Sequence, residues 1–165
     1  MSRPPYIRKI FMSEKITELI ILLIVIGMIV YTFLTFSKLP KTVPTHIGVT
    51  GQVDGYGNKG TLLAMPIIGL VFYIGLSVLQ RFPNIFNFPI EVTENNAEAL
   101  YSLGIKLIRC LKLFVVLIFA VESFTFTQLA LGKEFTAGIA FLTFLIVLMI
   151  VMLIYYIVKM TRQRE

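Results

Sequence analysis

One cysteine, one histidine and little charge set the first limits on this chain of 165 residues. With Cys110 alone, neither an internal disulfide nor a multi-cysteine zinc site can form. With His46 alone, a multi-histidine metal centre is excluded as well. Charged residues make up 15% of the chain, against about 25% in an ordinary soluble domain. That shortfall argues against a typical cytosolic enzyme, and the lack of a polar low-complexity tract argues against disorder. What fills the space is apolar: 57% of the residues, above the usual range of about 45–50%. A compact soluble domain of this size could not hide so much apolar surface. The formal charge of +6 then points to cytoplasmic loops facing anionic lipid rather than to a nucleic-acid surface.

A bilayer core about 30 Å thick needs roughly 20 apolar residues of helix. Four stretches qualify: residues 19–37, 60–80, 113–132 and 135–158. The first two carry no charge inside, and the third is breached only by Glu122. The first stretch follows Arg3, Arg8 and Lys9 as a signal peptide would. It is too long for a signal core, however, and no small-residue cleavage site follows, so it is expected to remain as a helix. Four crossings put both termini on one side. With the termini inside, eleven Lys and Arg residues lie on the cytoplasmic face: Arg3, Arg8, Lys9, Lys15, Arg81, Lys106, Arg109, Lys112, Lys159, Arg162 and Arg164. Four lie outside: Lys38, Lys41, Lys59 and Lys133. The excess predicts cytoplasmic termini. The turn Gly132-Lys133-Glu134 is so short that the third and fourth spans form an antiparallel hairpin. No internal repeat is present. The expected architecture is a single domain over residues 1–165: an all-α membrane protein with four transmembrane helices, an ordered outer loop and an amphipathic inner helix.

The outer loop, residues 37–60, holds five of the eleven glycines, together with Pro40 and Pro44. The prolines hold their predecessors extended, and Asp54-Gly55 reads as a tight turn. Val43–Val49 with Gln52–Val53 could pair as a small hairpin. The loop is therefore expected to be ordered rather than a floppy linker. Its reactive side chains are His46, Asp54 and Lys59, which either converge on a polar site or serve the loop itself. No Ser or Cys nucleophile stands beside the histidine and no second carboxylate is near it, so a nucleophilic triad is a poor reading.

Leu39-Pro40, then Val43-Pro44-Thr45-His46, then Gly51-Gln52-Val53-Asp54-Gly55-Tyr56-Gly57-Asn58-Lys59, before an apolar helix with Pro66, resembles a bacterial membrane module. That module is a domain of unknown function shared with SdpI-type immunity proteins and found in many stand-alone small proteins. Its Pro-x-His segment, its Gly-x-x-Asp-Gly turn and its helix-opening lysine all have counterparts here. Ile47 and Gly48 depart from the aromatic and the asparagine that are commoner there. Phe82-Pro83, Asn87-Phe88-Pro89, and Glu94 through Tyr101 resemble an extension seen in stand-alone members, so the likeness covers roughly residues 39–112. It implies a stand-alone four-span member in the bacterial cytoplasmic membrane, with Pro44, His46, Gly51, Asp54, Gly55 and Lys59 as candidate binding residues.

In the inner segment, residues 81–112, Pro83 and Pro89 forbid one continuous helix. Thr93 is expected to cap a helix with Glu94 in its first turn. From there Ala97, Leu100, Tyr101, Gly104, Ile105, Ile108 and Leu111 recur at helical spacing. Lys106, Arg109 and Lys112 fall on a neighbouring face. The segment reads either as an amphipathic helix with its cations at lipid phosphates, or as a docking surface using Asn87, Glu94, Asn95, Glu98, Tyr101 and Arg109. A helix running from Glu94 to Leu131 would be about 57 Å long, so it must protrude or bend, with Gly104 the favoured bend.

Glu122 sits near the midplane of the third stretch, where an ionised acid costs roughly 2.5–3.5 kcal/mol. It is expected to face the bundle, protonated and hydrogen-bonded to Thr32, Thr125, Thr143 or Tyr73. The rival reading is a proton or cation pathway. No cofactor, metal or nucleic acid is expected. The leading functional expectation is a binding protein, not an enzyme. Its outer loop meets a peptide, a toxin or another membrane protein among the lipids, alone or as a homo-oligomer, and its inner segment relays occupancy. The alternative is a proton- or cation-coupled transporter component using Glu122. An enzyme using His46 and Asp54 ranks last.

Overall fold

The computed structural model describes residues 4, 11–48, 51–133 and 137–163. The basic residues Arg3, Arg8, Lys9 and Arg164, the acidic residue of the predicted turn at 134, and the start of the fourth predicted span lie outside the described residues. Four helices are present among them: α1 (Met12–Phe36), α2 (Ala64–Leu79), α3 (Ala97–Ala130) and α4 (Ala137–Thr161). Between α1 and α2 stand two short strands, β1 (Thr42–Ile47) and β2 (Val53–Asn58), paired antiparallel. The expected all-α class is therefore corrected: the loop between the first two helices is a β-hairpin.

Three helical stretches are long and apolar enough to cross a membrane: Met12–Phe36, Lys59–Leu79 and Ala140–Thr161. Their outward faces carry large exposed apolar side chains, among them Leu23, Val30 and Phe33 on α1, and Phe144, Val151 and Ile154 on α4. An aqueous monomer does not expose apolar surface on that scale, whereas hydrocarbon solvates it. The chain is thus a multi-pass membrane protein. Helix α3 packs against each of the other three helices. It carries the most polar side chains and is the most enclosed: Arg109, Lys112, Ser123, Thr125 and Thr127 on it are all buried. Lipid offers such groups no partner, so the sequence that carries them takes the centre of the bundle.

The core falls into three tiers along α3. At the hairpin end, Leu39, Val43, Leu62 and Ala130 meet Phe36 and Phe126. In the middle, Ile21, Val25 and Val116 pack with Leu70 and Tyr73. At the far end, Leu100, Leu103 and Met160 enclose Phe88, Ile90 and Tyr156. Polar pairs pin α1 to α3 between the tiers. Thr32 and Ser123 share a hydrogen bond of 3.0 Å, and Gln128 donates to the Tyr31 hydroxyl at 2.7 Å. Such bonds add to packing in a medium where helix–helix association gains little from the hydrophobic effect.

Local chemistry sets the ends of the elements. Asn58 caps the turn of 3-10 helix over Lys59–Leu63, its side chain accepting from Gly60 N at 2.8 Å, and Pro66 falls in the first turn of α2, where its missing N–H costs nothing. Helix α3 closes on Gly132 at φ +76°, with Lys133 N donating to Gln128 O, a glycine-terminated cap. At its other end α3 begins at Ala97, not after Thr93 as expected. Asn96 organises the preceding turn, accepting from Thr93 N and donating to Glu91 O. The 34 residues of α3 make an unbroken helix about 51 Å long. Gly104, expected as a bend, instead provides room, since a Cβ there would lie 2.8 Å from Phe86 and 3.1 Å from Phe88. It lets the segment after α2 lie against α3.

Candidate functional site

The hairpin is irregular where its reactive residues stand. Thr42–Asn58, Val43–Gly57 and Pro44–Tyr56 pair in register. The register then shifts on both sides of His46, which faces Gly55. Bulges of this kind re-aim side chains, and here they put His46 and Asp54 together: His46 Nδ1 hydrogen-bonds Asp54 Oδ1. Asp54-Gly55 is not the turn that the sequence suggested. Both residues lie in β2, and the chain reverses just before it, with Gly48 N donating to Gln52 O and Gly51 at φ +81°. Gly48 makes room for the pair, since a Cβ there would come within 2.7 Å of Asp54 Oδ2.

Lys59 does not join them. Its ammonium donates to Phe36 O at 3.2 Å and lies 4.7 Å from the Phe36 ring centre. It neutralises the carbonyl end of α1, where a cation is favourable. Pro44 is buried in β1. Of the six loop residues singled out, then, His46 and Asp54 form a polar pair, Gly51 and Gly55 shape the hairpin, Pro44 is buried within it, and Lys59 fastens it to α1.

Below the hairpin lies a cavity of about 310 Å³. Its roof is Thr45, His46, Ile47 and Gly48, and its walls include Met65, Val121, Glu122, Thr125, Phe126 and Leu142. Glu122 and His46, 76 positions apart in the sequence, thus border one space. Glu122 is half-buried. Two of the expected partners of Glu122 are engaged elsewhere: Thr32 with Ser123 and Met28 O, and Tyr73 beside Lys112. Thr125, also on the wall, is buried with its hydroxyl oxygen unpartnered among the described residues. Sequence reading set Thr125 beside Glu122 but missed Met65, Phe126 and Leu142 as wall residues. Helical spacing from Glu122 reaches Thr125 and Phe126, but nothing in the chain announces that the hairpin covers them.

At the far end, the basic row resolves differently from either expectation. Lys106 is exposed, but Arg109 and Lys112 point into the bundle. The Lys112 ammonium is fully buried, donating to Glu18 Oε2 at 2.6 Å and Ser77 Oγ at 2.9 Å. Arg109 Nη2 lies 3.0 Å from Glu14 Oε1, and Gln80 donates to Glu18 Oε1 at 3.0 Å. This charge cluster joins α1, α2 and α3, so these two cations are not held at lipid phosphates. Tyr101 is fully buried as well, its hydroxyl donating to Pro4 O at 3.2 Å. Asn87, Glu94 and Asn95 remain exposed. The paired spacing of Glu14 with Glu18 on α1, and of Arg109 with Lys112 on α3, each just before a long apolar stretch, was the signal that could have found the cluster.

A family model described as a domain of unknown function, DUF1648, matches residues 23–70. That stretch covers much of α1, the whole hairpin and the start of α2. An uncharacterised protein of Archaeoglobus fulgidus is 36% identical over 67 residues, 36% of this chain and 37% of that protein. The chain thus spans little more than a third of the curated relative it matches. No solved structure matches. The chain is similar to that domain of unknown function over the hairpin and the helices that carry it.

Proposed function

We propose that this is a four-span receptor-like protein of a bacterial cytoplasmic membrane, related to the SdpI-type immunity proteins. Its hairpin faces outward and recognises a peptide, a toxin or an envelope partner. Helix α3 is the third crossing, and the charge cluster marks the cytoplasmic boundary. The observation that carries this reading is the cavity bounded by hairpin and helices together. An occupant there touches β1 and α3 at once, so binding can be passed along α3 to the exposed Asn87, Glu94 and Asn95. Reporter fusions test the topology: both termini on the cytoplasmic side are expected, and ends in opposite compartments overturn it. A host expressing the protein should gain protection from a membrane-active peptide toxin, or signal its presence, and should lose this with His46→Ala/Asp54→Ala. An unchanged response across a panel of such toxins sinks the recognition reading.

A second reading, proton- or cation-coupled transport, draws support from Glu122 bordering the cavity. Flux in proteoliposomes that is indifferent to Glu122→Gln would eliminate it.

A further inference from the structure

The lining of the cavity is apolar except at two places, Glu122 with Thr125 on α3 and Thr45 with His46 at the roof. Among the described residues, no cation answers Glu122 as Lys112 answers Glu18. A carboxyl group kept half-buried in hydrocarbon is costly. It is kept at least cost where something complementary can reach it, and the Thr125 hydroxyl is a second unused acceptor on the same helix face. Met65, Val121, Phe126 and Leu142 offer nothing to a polar ligand and good packing to a chain of methylenes. A volume of about 310 Å³ lies at the small end of ligand pockets, which suits one side chain or a short alkyl group rather than a folded partner.

We propose that this cavity is a primary-alkylammonium site. The alkyl part lies against Met65, Val121, Phe126 and Leu142, and the ammonium meets Glu122 and the Thr125 hydroxyl. This deepens the recognition reading and rests on it for the biological source of the amine. A lysine side chain of an apolar peptide and a free alkylamine present the same chemistry. His46, held by Asp54, belongs to the roof and is not needed for the charge preference.

The test uses the full chain in zwitterionic nanodiscs, with empty discs as the background. Octylamine and octanol share the same chain and differ in the head group. Saturable octylamine binding at least tenfold tighter than octanol is expected, with the preference lost in Glu122→Gln. Leu142→Phe, which fills the cavity, should weaken both ligands, and it serves as a second variant should Glu122→Gln fold poorly. Equal affinities, a preference that survives Glu122→Gln, or binding no greater than to empty discs overturns the proposal. The source is read from an apolar peptide with one lysine against the same peptide acetylated at that lysine. Lysine-dependent binding tighter than octylamine assigns a peptide, and octylamine binding alone assigns a free amine. If octylamine selectivity holds while toxin protection fails, the site stands and the recognition reading falls. The reverse outcome removes this site and leaves recognition to the hairpin surface.

Discussion

Replacing Lys112 by methionine tests whether α3 is held by buried charge. At the effective dielectric of about 20 that describes protein sites, charges 2.6 Å apart attract by about 6 kcal/mol. Removing two ions from water costs several kcal/mol each, so the pair itself contributes little net stability. The asymmetry lies in breaking it. Loss of one partner from a buried pair costs about 3–5 kcal/mol, because the other charge stays behind. Here Glu18 keeps the Gln80 amide and sits 3.4 Å from Arg109, and its side chain is 26% exposed. The loss for Lys112→Met should therefore fall near the lower bound, about 3 kcal/mol. Lys106→Met, on the exposed face, should change stability by less than about 0.5 kcal/mol. Glu18→Gln with Lys112→Met together should recover a coupling of about 1–3 kcal/mol. Reversible unfolding in mixed micelles, followed by helix signal against denaturing detergent, measures all five proteins: the wild type, Lys112→Met, Lys106→Met, Glu18→Gln and the double variant. If Lys112→Met costs no more than Lys106→Met, the buried cluster is wrong and the row of cations belongs to the lipid surface after all.

Four further outcomes follow from the packing. Gly104→Ala drives a methyl group into Phe86 and Phe88 and should cost about 1–3 kcal/mol. Gly75→Ala, with no atom within 4 Å, should be neutral or stabilising by up to about 1 kcal/mol in the same unfolding assay. Gly48→Ala pushes the Asp54 carboxylate away from His46, at little cost to stability because that carboxylate can swing aside; ring-nitrogen shifts of His46 by NMR should then match those of Asp54→Asn. Lys59→Met leaves the Phe36 carbonyl without its charged donor and should cost about 1–2 kcal/mol, with faster amide exchange at the last turn of α1.

Three of the four expected spans, the first, second and fourth, were legible because hydropathy over about 20 residues is a bulk property that no tertiary detail can reverse. The hairpin was legible in outline, since Thr42, Val43, Thr45 and Ile47 are β-branched and stand between turn residues. Its turn was misplaced, because the Asp-Gly signal rests on positive φ at the turn residues, and here that conformation falls on Gly51 while Asp54 and Gly55 lie in β2. The far end was misread for a deeper reason. A row of cations beside an apolar helix face looks the same whether it reaches for phosphate or for Glu14 and Glu18. What separates the cases is which residues far away in the sequence come to the same depth. Gly104 shows the same limit, since a helix glycine signals either a bend or a close neighbour, and only the chain that lies against it decides between them.

Glu122 and Lys112 stand on one helix, ten residues and therefore about 15 Å apart, and this spacing makes a relay testable as thermodynamics. A ligand that touches both β1 and α3 can shift α3 only by its differential affinity for the shifted arrangement. The resistance to that shift includes the ties of Arg109 and Lys112 to α1. Loosening them with Lys112→Met should therefore change octylamine affinity in the cavity, although Lys112 lines no part of it. By reciprocity, octylamine should change the unfolding midpoint of the wild-type protein and of Lys112→Met by different amounts. Lys106→Met, equally basic in origin and nearer the free surface, should leave the affinity where it was. If Lys112→Met folds, binds octylamine with wild-type affinity and is stabilised by it to the same degree, the two ends of α3 are independent. The hairpin then recognises its partner without informing the far side.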